Sequence, residues 1–251
     1  MSGQSQDIKF GQQNKKLNDL NTEKNFSNDK NIPGMVYIPA GEFIFGTNEG
    51  FNYEFPQQRI YLDGFYIDKY EVTNQQYKNF VDATGHPAPL YWKNNTYPKG
   101  KDNFPVTNVS YYDALSYSKW AGKRLPTEQE WEKASRYIDG RIYPWGNDWK
   151  SNCANIKPII GFGKLKRVGS FPEGVSKYGC FDMSGNVWEW TQSYFEPYFG
   201  NSISNENYGK KYRVIRGGSY RQAESVCQCY RRDFLDPDDS SRPDVGFRCA
   251  K

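Results

Sequence analysis

Two cysteines separated by a single residue, Cys227 and Cys229, are the side chains of this sequence best suited to soft-metal or redox chemistry. On a strand, residues i and i+2 share a face and stand roughly 6–7 Å apart. Sulfurs at that spacing can converge on one soft metal ion, more easily where a turn or bulge intervenes. Buried among apolar neighbours, the same residues act only as small hydrophobes. Cys153, Cys180 and Cys249 bring the total to five. That is too few for a disulfide scaffold at this length, and an odd count leaves at least one thiol free or shared between molecules. The chain has one histidine, His86, in a GHPAP loop, and it is read as solvated. A site with two or three histidine ligands is excluded, and a Ser-His-Asp triad would have to use His86. Neither a GxxxxGK[ST] phosphate loop nor a GxGxxG after a strand is present.

Composition narrows the classes further. Lysine and arginine total 33 against 29 acidic residues, and a net charge of +4 gives no support to an electrostatically driven nucleic-acid binder. Only 37% of the 251 residues are hydrophobic but 17% are aromatic, so Tyr, Phe and Trp must supply much of the core. Abundant glycine and proline predict many turns and short helices. No apolar run approaches the roughly 20 residues of a transmembrane segment. The opening MSGQSQDIKF lacks the apolar core of a secretory signal, so a cytoplasmic address is the default, although an exported chain already cleaved would read alike.

The elements that must position these residues begin near residue 34. Residues 1–33 are rich in Asn, Lys, Gln and Asp, cannot bury enough surface to offset the entropy of ordering, and are read as a disordered N-terminal tail. Residues 34–251 form the folded domain. MVYIPAGEFIFG, at 35–46, predicts a strand pair, and RIYLDGFYIDKY, at 59–70, alternates in the same way. Thr73 with Gln76 forms a capping box for a helix that turns Tyr77, Phe80 and Val81 inward and stops at Gly85. Ser110 caps a second helix, with Ala114, Leu115 and Ser118 inward and Gly122 at its end. Thr127 with Glu130 caps a third, with Trp131 and Ala134 inward. After Gly140 come loops, with short strand-like runs near 187–191, 213–215 and 245–249. Helices first and irregular β structure afterwards predict an α+β domain around one aromatic core.

Several segments in order resemble one family. They are MVYIPAGEFIFGT, EVTNQQYKNFV, FPVTNVSYYDALSYSKWAGKRLPTEQEWEKASR, YPWGND, GCFDMSGNVWEWTQS, RVIRGGSY and DVGFRCA. Together they resemble the formylglycine-generating enzyme, or sulfatase-modifying factor, family over residues 34–251. The resemblance implies a variant of the C-type lectin fold: α+β, with short helices, a small β core and extensive irregular structure. It also implies a range of activities. Name-giving members oxidise a cysteine in a sulfatase CxPxR motif to formylglycine, using O2 and a Cu(I) ion held by two cysteines. Others transfer sulfur with a three-histidine iron site, which a chain with one histidine cannot build. Others bind ligands or are structural. Fold kinship does not choose among these.

In the copper oxidases, one cysteine lies two residues after RGGS[YW] and a second lies five further on. Here Ser219 matches the serine near the family's active site and Cys227 matches the second cysteine, while Gln222 occupies the first cysteine position. An amide is a poor Cu(I) ligand. Two readings follow. In the first, the domain is a non-catalytic module that binds a protein, peptide or other ligand on its RGGSY side. By resemblance, Tyr220, Gln222, Arg231 and Arg232 border that surface. Arg231 and Arg232 can hold a carboxylate or an acidic peptide there, or pair internally with Asp233, Asp236, Asp238 and Asp239. In the second, it is a diverged O2-dependent oxidase of a cysteine or thiol, using Cys227 with Cys229 or with a partner's thiol, beside Ser219.

The resemblance also implies structural calcium. Asp182 and Glu189 match side-chain ligands of a family calcium loop, and Gly185 and Val187 match its backbone-carbonyl ligands. A hard cation wants about six to eight such oxygens. The alternative places Glu189 in an ordinary ion pair. Asn155, Ile156 and Phe162 match a second, weaker site whose acidic position is Ile160 in this chain. Cys249 matches a cysteine whose disulfide partner in secreted relatives falls on Ser118, so Cys249 is read as a buried reduced thiol. Arg216 and Arg248 are expected inside, with their donors on backbone carbonyls.

Overall fold

The structure is a computed structural model and describes residues 32–251. The segment read as a tail lies outside the described residues apart from Ile32 and Pro33. From Gly34 onward the chain forms one compact unit. It is α+β, as the sequence predicts, with three short helices and eight short strands among long loops.

The strands β1 (Met35–Ile38) and β2 (Gly41–Phe45) do not pair with each other as the sequence suggests. Instead β1 pairs antiparallel with β4 (Phe65–Asp68), and β2 pairs with β3 (Gln58–Leu62). The corner between β1 and β2 is occupied by Lys133, whose ammonium donates to the carbonyls of Pro39 and Gly41 at 2.7 and 2.9 Å. The four-stranded sheet has the order β7-β6-β5-β8. It comprises β5 (Trp188–Tyr194), β6 (Arg213–Arg216), β7 (Arg232–Leu235) and β8 (Val245–Gly246), all antiparallel except β5 with β8. The sequence reading missed β7, whose RDFL run carries two charges in four residues. Arg232 is held by a tertiary partner, Glu128, and Asp233 accepts the Phe234 N–H at 2.8 Å.

Helix α1 (Asn74–Thr84) starts at the Thr73–Gln76 capping box and ends at Gly85, whose left-handed backbone lets its N–H reach the Val81 carbonyl. Helix α2 (Tyr111–Trp120) is capped by Ser110, with Asp113 reaching back to the Ser110 N–H at 2.8 Å. Helix α3 (Glu128–Arg136) is capped by Thr127 with Glu130. The largest apolar cluster joins Tyr77 and Phe80 of α1, Tyr117 of α2, Trp188 and Trp190 of β5, and Phe247. Rings of Tyr77, Tyr117 and Phe247 lie in mutual contact, with centroids 5.3–6.4 Å apart. The expected inward faces of α1 and α3 are found: Tyr77, Trp131 and Ala134 are fully buried.

What the sequence pattern does not show is that α3 is enclosed on nearly every side. Glu128, Glu132, Lys133 and Arg136 are buried with Trp131. Arg216 of β6 donates to Glu128, to Glu132 and to the carbonyls of Tyr230 and Cys229. Arg232 of β7 also holds Glu128, at 2.9 Å. On the other side, Arg248 forks onto both oxygens of Glu189 at 2.7 Å, and Trp131 Nε1 donates to Glu189 at 2.8 Å. Buried charges persist only when paired and hydrogen-bonded in this way. Truncation of Arg248 to alanine strands the Glu189 charge. Arg248→Ala should lower unfolding free energy by about 3–5 kcal/mol, seen in urea melts as a lower midpoint with an unchanged slope.

Candidate functional site

The segment that resembles the oxidase centre starts where β6 ends. Gly217 and Gly218 both have positive φ, at 97° and 74°. The chain therefore folds back over its own continuation, a path that a β-carbon disfavours. A Cβ on Gly218 would overlap the Cys227 sulfur, so this glycine is required both by backbone angle and by close approach. Cys227 is fully buried beneath it, within reach of the backbone amides of Ser219 and Gly185. Its carbonyl accepts the Ser184 hydroxyl. Burial pushes the Cys227 thiol up to about 12.

Cys229 is also fully buried, but in different surroundings. The Ser135 hydroxyl of α3 donates to its sulfur at 3.0 Å, and Glu132, Arg136 and Arg216 surround it. Burial raises this thiol to about 12 as well. One sulfur therefore faces the RGGSY turn and the other faces the α3 charge cluster. Among the described residues, no three His, Cys, Asp or Glu side chains gather as a metal cluster. The thiols present do not fit a two-thiolate copper site. Gln222 supplies only an amide, a poor Cu(I) ligand; its backbone N–H bonds the Ser219 carbonyl, and its carbonyl accepts the Lys157 N–H at 2.9 Å.

Ser219 is buried and donates its hydroxyl to Asp244 at 2.9 Å, and Arg242 holds the other Asp244 oxygen. Sequence analysis places Arg231 and Arg232 on the ligand-facing surface, but the structure turns both inward. Arg231 pairs with Glu54 at 2.7 Å, and Arg232 pairs with Glu128. Their partners are remote in sequence, not the adjacent aspartates, because the short helical turns Asn52–Glu54 and Glu224–Val226, with β7, bring them against the 51–54 segment. What stays open is a pocket of about 340 Å³ lined by Lys157, Phe162, Gly163, Tyr220 and Arg221. Two of these five are cations and two are aromatic. Tyr220 belongs to the expected ligand surface. Sequence analysis singled out neither Lys157 nor Arg221.

The residues of the calcium reading form a second centre. Asp182 is buried, adopts a left-handed backbone and accepts the Gly169 N–H at 2.6 Å. Glu189 is engaged by Arg248 and Trp131, the ion-pair alternative. A residue missed in the sequence completes the cluster: Glu71, which follows β4 and is almost fully buried. Asn186 donates to Glu71 Oε1 at 2.8 Å, but no donor reaches Glu71 Oε2, whose neighbour is the Asp182 carboxylate. Two carboxylates can share such a contact only around a proton or a cation. Burial, and then each other's charge in the case of Glu71, raises both groups above the ordinary carboxyl range. An unpartnered buried carboxylate oxygen beside a second carboxylate is a donor set that suits a hard cation. Asn155 is tied to Asn186 and to the Lys164 carbonyl, while Ile160 and Phe162 of the weaker site project into solvent.

Cys153, Cys180 and Cys249 are free and buried. Ser118, opposite Cys249 by resemblance, donates to the Leu115 carbonyl instead. His86 is half-buried, 2.7 Å from Asp113 of the α2 cap, and so is a local structural partner.

Comparison with known proteins identifies this arrangement. Residues 21–251 match the sulfatase-modifying factor enzyme 1-like domain. The chain belongs to that family. It is 34% identical to the formylglycine-generating enzyme of Mus musculus, over 90% of this chain and 80% of that protein. It is 31% identical to the inactive Cα-formylglycine-generating enzyme 2 of the same organism, over 87% of this chain and 85% of that protein. Among solved structures, PvdO from Pseudomonas aeruginosa superposes with a TM-score of 0.72 at 25% identity, covering 90% and 96% of the two chains. The family thus contains proteins named as active and proteins named as inactive, and the two buried thiols bear on which kind this chain is.

Thiol chemistry checks this geometry. At pH 8 a thiol with a pKa near 12 is thiolate in only about one part in 10⁴. The folded protein should therefore leave Cys227 and Cys229 unmodified by Ellman's reagent, whereas the urea-unfolded chain should titrate all five cysteines.

Proposed function

We propose that this domain is a non-catalytic binding module of the sulfatase-modifying factor family that takes an acidic ligand, a carboxylate-bearing peptide or protein segment, in the pocket beside Tyr220. The separation of Cys227 from Cys229 carries this reading. With Gln222 at the first cysteine position, the chain has one cysteine where the copper oxidases use two. A diverged oxidase would need a partner's thiol to reach beneath Gly218, which the glycine's close packing on the sulfur opposes. The pocket meanwhile offers Lys157 and Arg221 for carboxylates, with Phe162 and Tyr220 for the attached apolar groups.

Two titrations test this. Anaerobic Cu(I) titration against a competing chelator should show no one-to-one site that Cys227→Ala removes. Tight stoichiometric binding abolished by that substitution would overturn the non-catalytic reading. Calorimetry with a glutamate-rich peptide should show binding that weakens at least about tenfold in Arg221→Glu, the loss of one charge-assisted contact. Absence of peptide binding, or indifference to Arg221→Glu, would overturn the acidic-ligand assignment.

A structural calcium ion belongs to the same proposal, with Asp182 and Glu71 as its side-chain ligands and Glu189 retained by Arg248. When bound, it would supply the positive charge that the buried carboxyl pair lacks and would fix the 182–189 turn. Calcium should raise Tm by about 5–10 °C over chelated protein at saturating concentration, and Glu71→Gln should abolish most of that shift. In chelator the sign of the pH dependence follows from the raised carboxyls. Their protonated forms favour the fold, so this contribution is present at acid pH and is lost as pH rises through the folded-state value. Glu71→Gln should flatten that loss in urea melts across the acid-to-neutral range.

A further inference from the structure

Loop 157–163 rises from the edge of the pocket with an unusual distribution of side chains. Ile159, Ile160 and Phe162 are 103%, 89% and 94% exposed, so each projects largely into solvent. Solvating three large apolar side chains within four residues is unfavourable and marks a contact surface. Around this tip, residues 155–171 contain Lys157, Lys164, Lys166 and Arg167 and no acidic residue, and Arg221 lines the pocket alongside Phe162. The base of the loop is fixed. Lys157 N–H bonds the Gln222 carbonyl, Asn155 Nδ2 bonds the Lys164 carbonyl at 3.0 Å, and Lys166 N–H bonds Asn186 at 3.2 Å. Gly163 packs so closely on the Tyr220 carbonyl that a Cβ there would collide with it. A fixed base presents the tip with little further ordering cost.

We propose that this loop is a membrane-docking element, inserting Ile159, Ile160 and Phe162 into an anionic lipid surface while the surrounding lysines and arginines engage the headgroups. Ile159 and Ile160, at the tip, do not line the pocket beside Tyr220. A lipid interface accepts such a tip without shape matching, and the uniformly positive collar complements a negative leaflet. Apolar burial combined with basic charge is the two-part arrangement that gives reversible attachment to anionic membranes.

The test is co-sedimentation of the full chain with vesicles of phosphatidylcholine and phosphatidylserine mixed in roughly a 3:1 ratio, and with phosphatidylcholine alone. Wild type should sediment with the mixed vesicles, less so as salt rises. The double variants Ile159→Ser/Ile160→Ser and Lys164→Glu/Lys166→Glu should each lose at least about tenfold in apparent affinity. All four residues are exposed, and none lines the pocket, so acidic-peptide binding reports separately on the fold and on the pocket reading. Failure of wild type to sediment with mixed vesicles overturns the proposal. So does sedimentation that both double variants retain, which would place lipid binding elsewhere in the chain. Capture of a protein by the loop without vesicle binding would also overturn it, in favour of a protein interface.

Discussion

The burial of charge around helix α3 is the constraint on which the rest of this domain depends. Glu128 and Glu132 lie in the interior and are held by Arg216 and Arg232 from two adjacent strands. Trp131, from the same helix, reaches across to Glu189 and Arg248. Each of these groups would be costly if unpaired, so helix, sheet and the C-terminal segment must assemble together or not at all. Little of the domain has the regular elements that would otherwise hold it, and the arginine forks also satisfy loop carbonyls of Asp68, Phe181, Cys229 and Tyr230. This suits a fold whose loops carry function on a rigid frame.

The same frame gives the two cysteines different neighbours. Cys229 is drawn toward α3 by Ser135 and the charge cluster, while Cys227 is drawn under Gly218 by the turn that follows β6. Their spacing of two residues would place them on one face of a straight strand, but the chain from 224 to 231 is a turn rather than a strand, and β7 begins only at Arg232. The backbone turn sets Cys227 beside Ser219 and Gly185, and Cys229 beside Ser135. A pocket remains on the outside of this turn, where the tie between Lys157 and Gln222 brings the 157–163 loop beside Tyr220 and Arg221.

Around Asp182 the domain has an excess of buried negative charge. Three carboxyl groups, Glu71, Asp182 and Glu189, lie near one arginine, and of the three Arg248 hydrogen-bonds Glu189. The remaining two must be stabilised by a proton or by a cation, and their position at the junction of β4, the 182–189 turn and the sheet makes that choice a matter of stability for the whole loop region. Arg248 and the carboxyl pair therefore belong to one electrostatic unit with α3.

Family, α+β class and the three helix starts were fixed by local sequence. Capping boxes at Thr73, Ser110 and Thr127 act through hydrogen bonds three residues long, so they can be read directly from the chain. The aromatic core was legible in the same way, because Trp131, Trp188, Trp190 and Tyr77 have few other places to go. Tertiary structure alone decided the rest. It paired β1 with β4 and β2 with β3, since strand partners are set by register and by the Lys133 corner rather than by adjacency. It turned Arg231 and Arg232 inward to Glu54 and Glu128, partners more than a hundred residues away, which no local charge pattern reveals. It brought Glu71 to Asp182 across more than a hundred residues, and it set Cys227 and Cys229 in separate surroundings. Local hydrogen bonds and apolar periodicity are written in short stretches of chain, whereas the partner of a buried charge is whatever the fold carries to it.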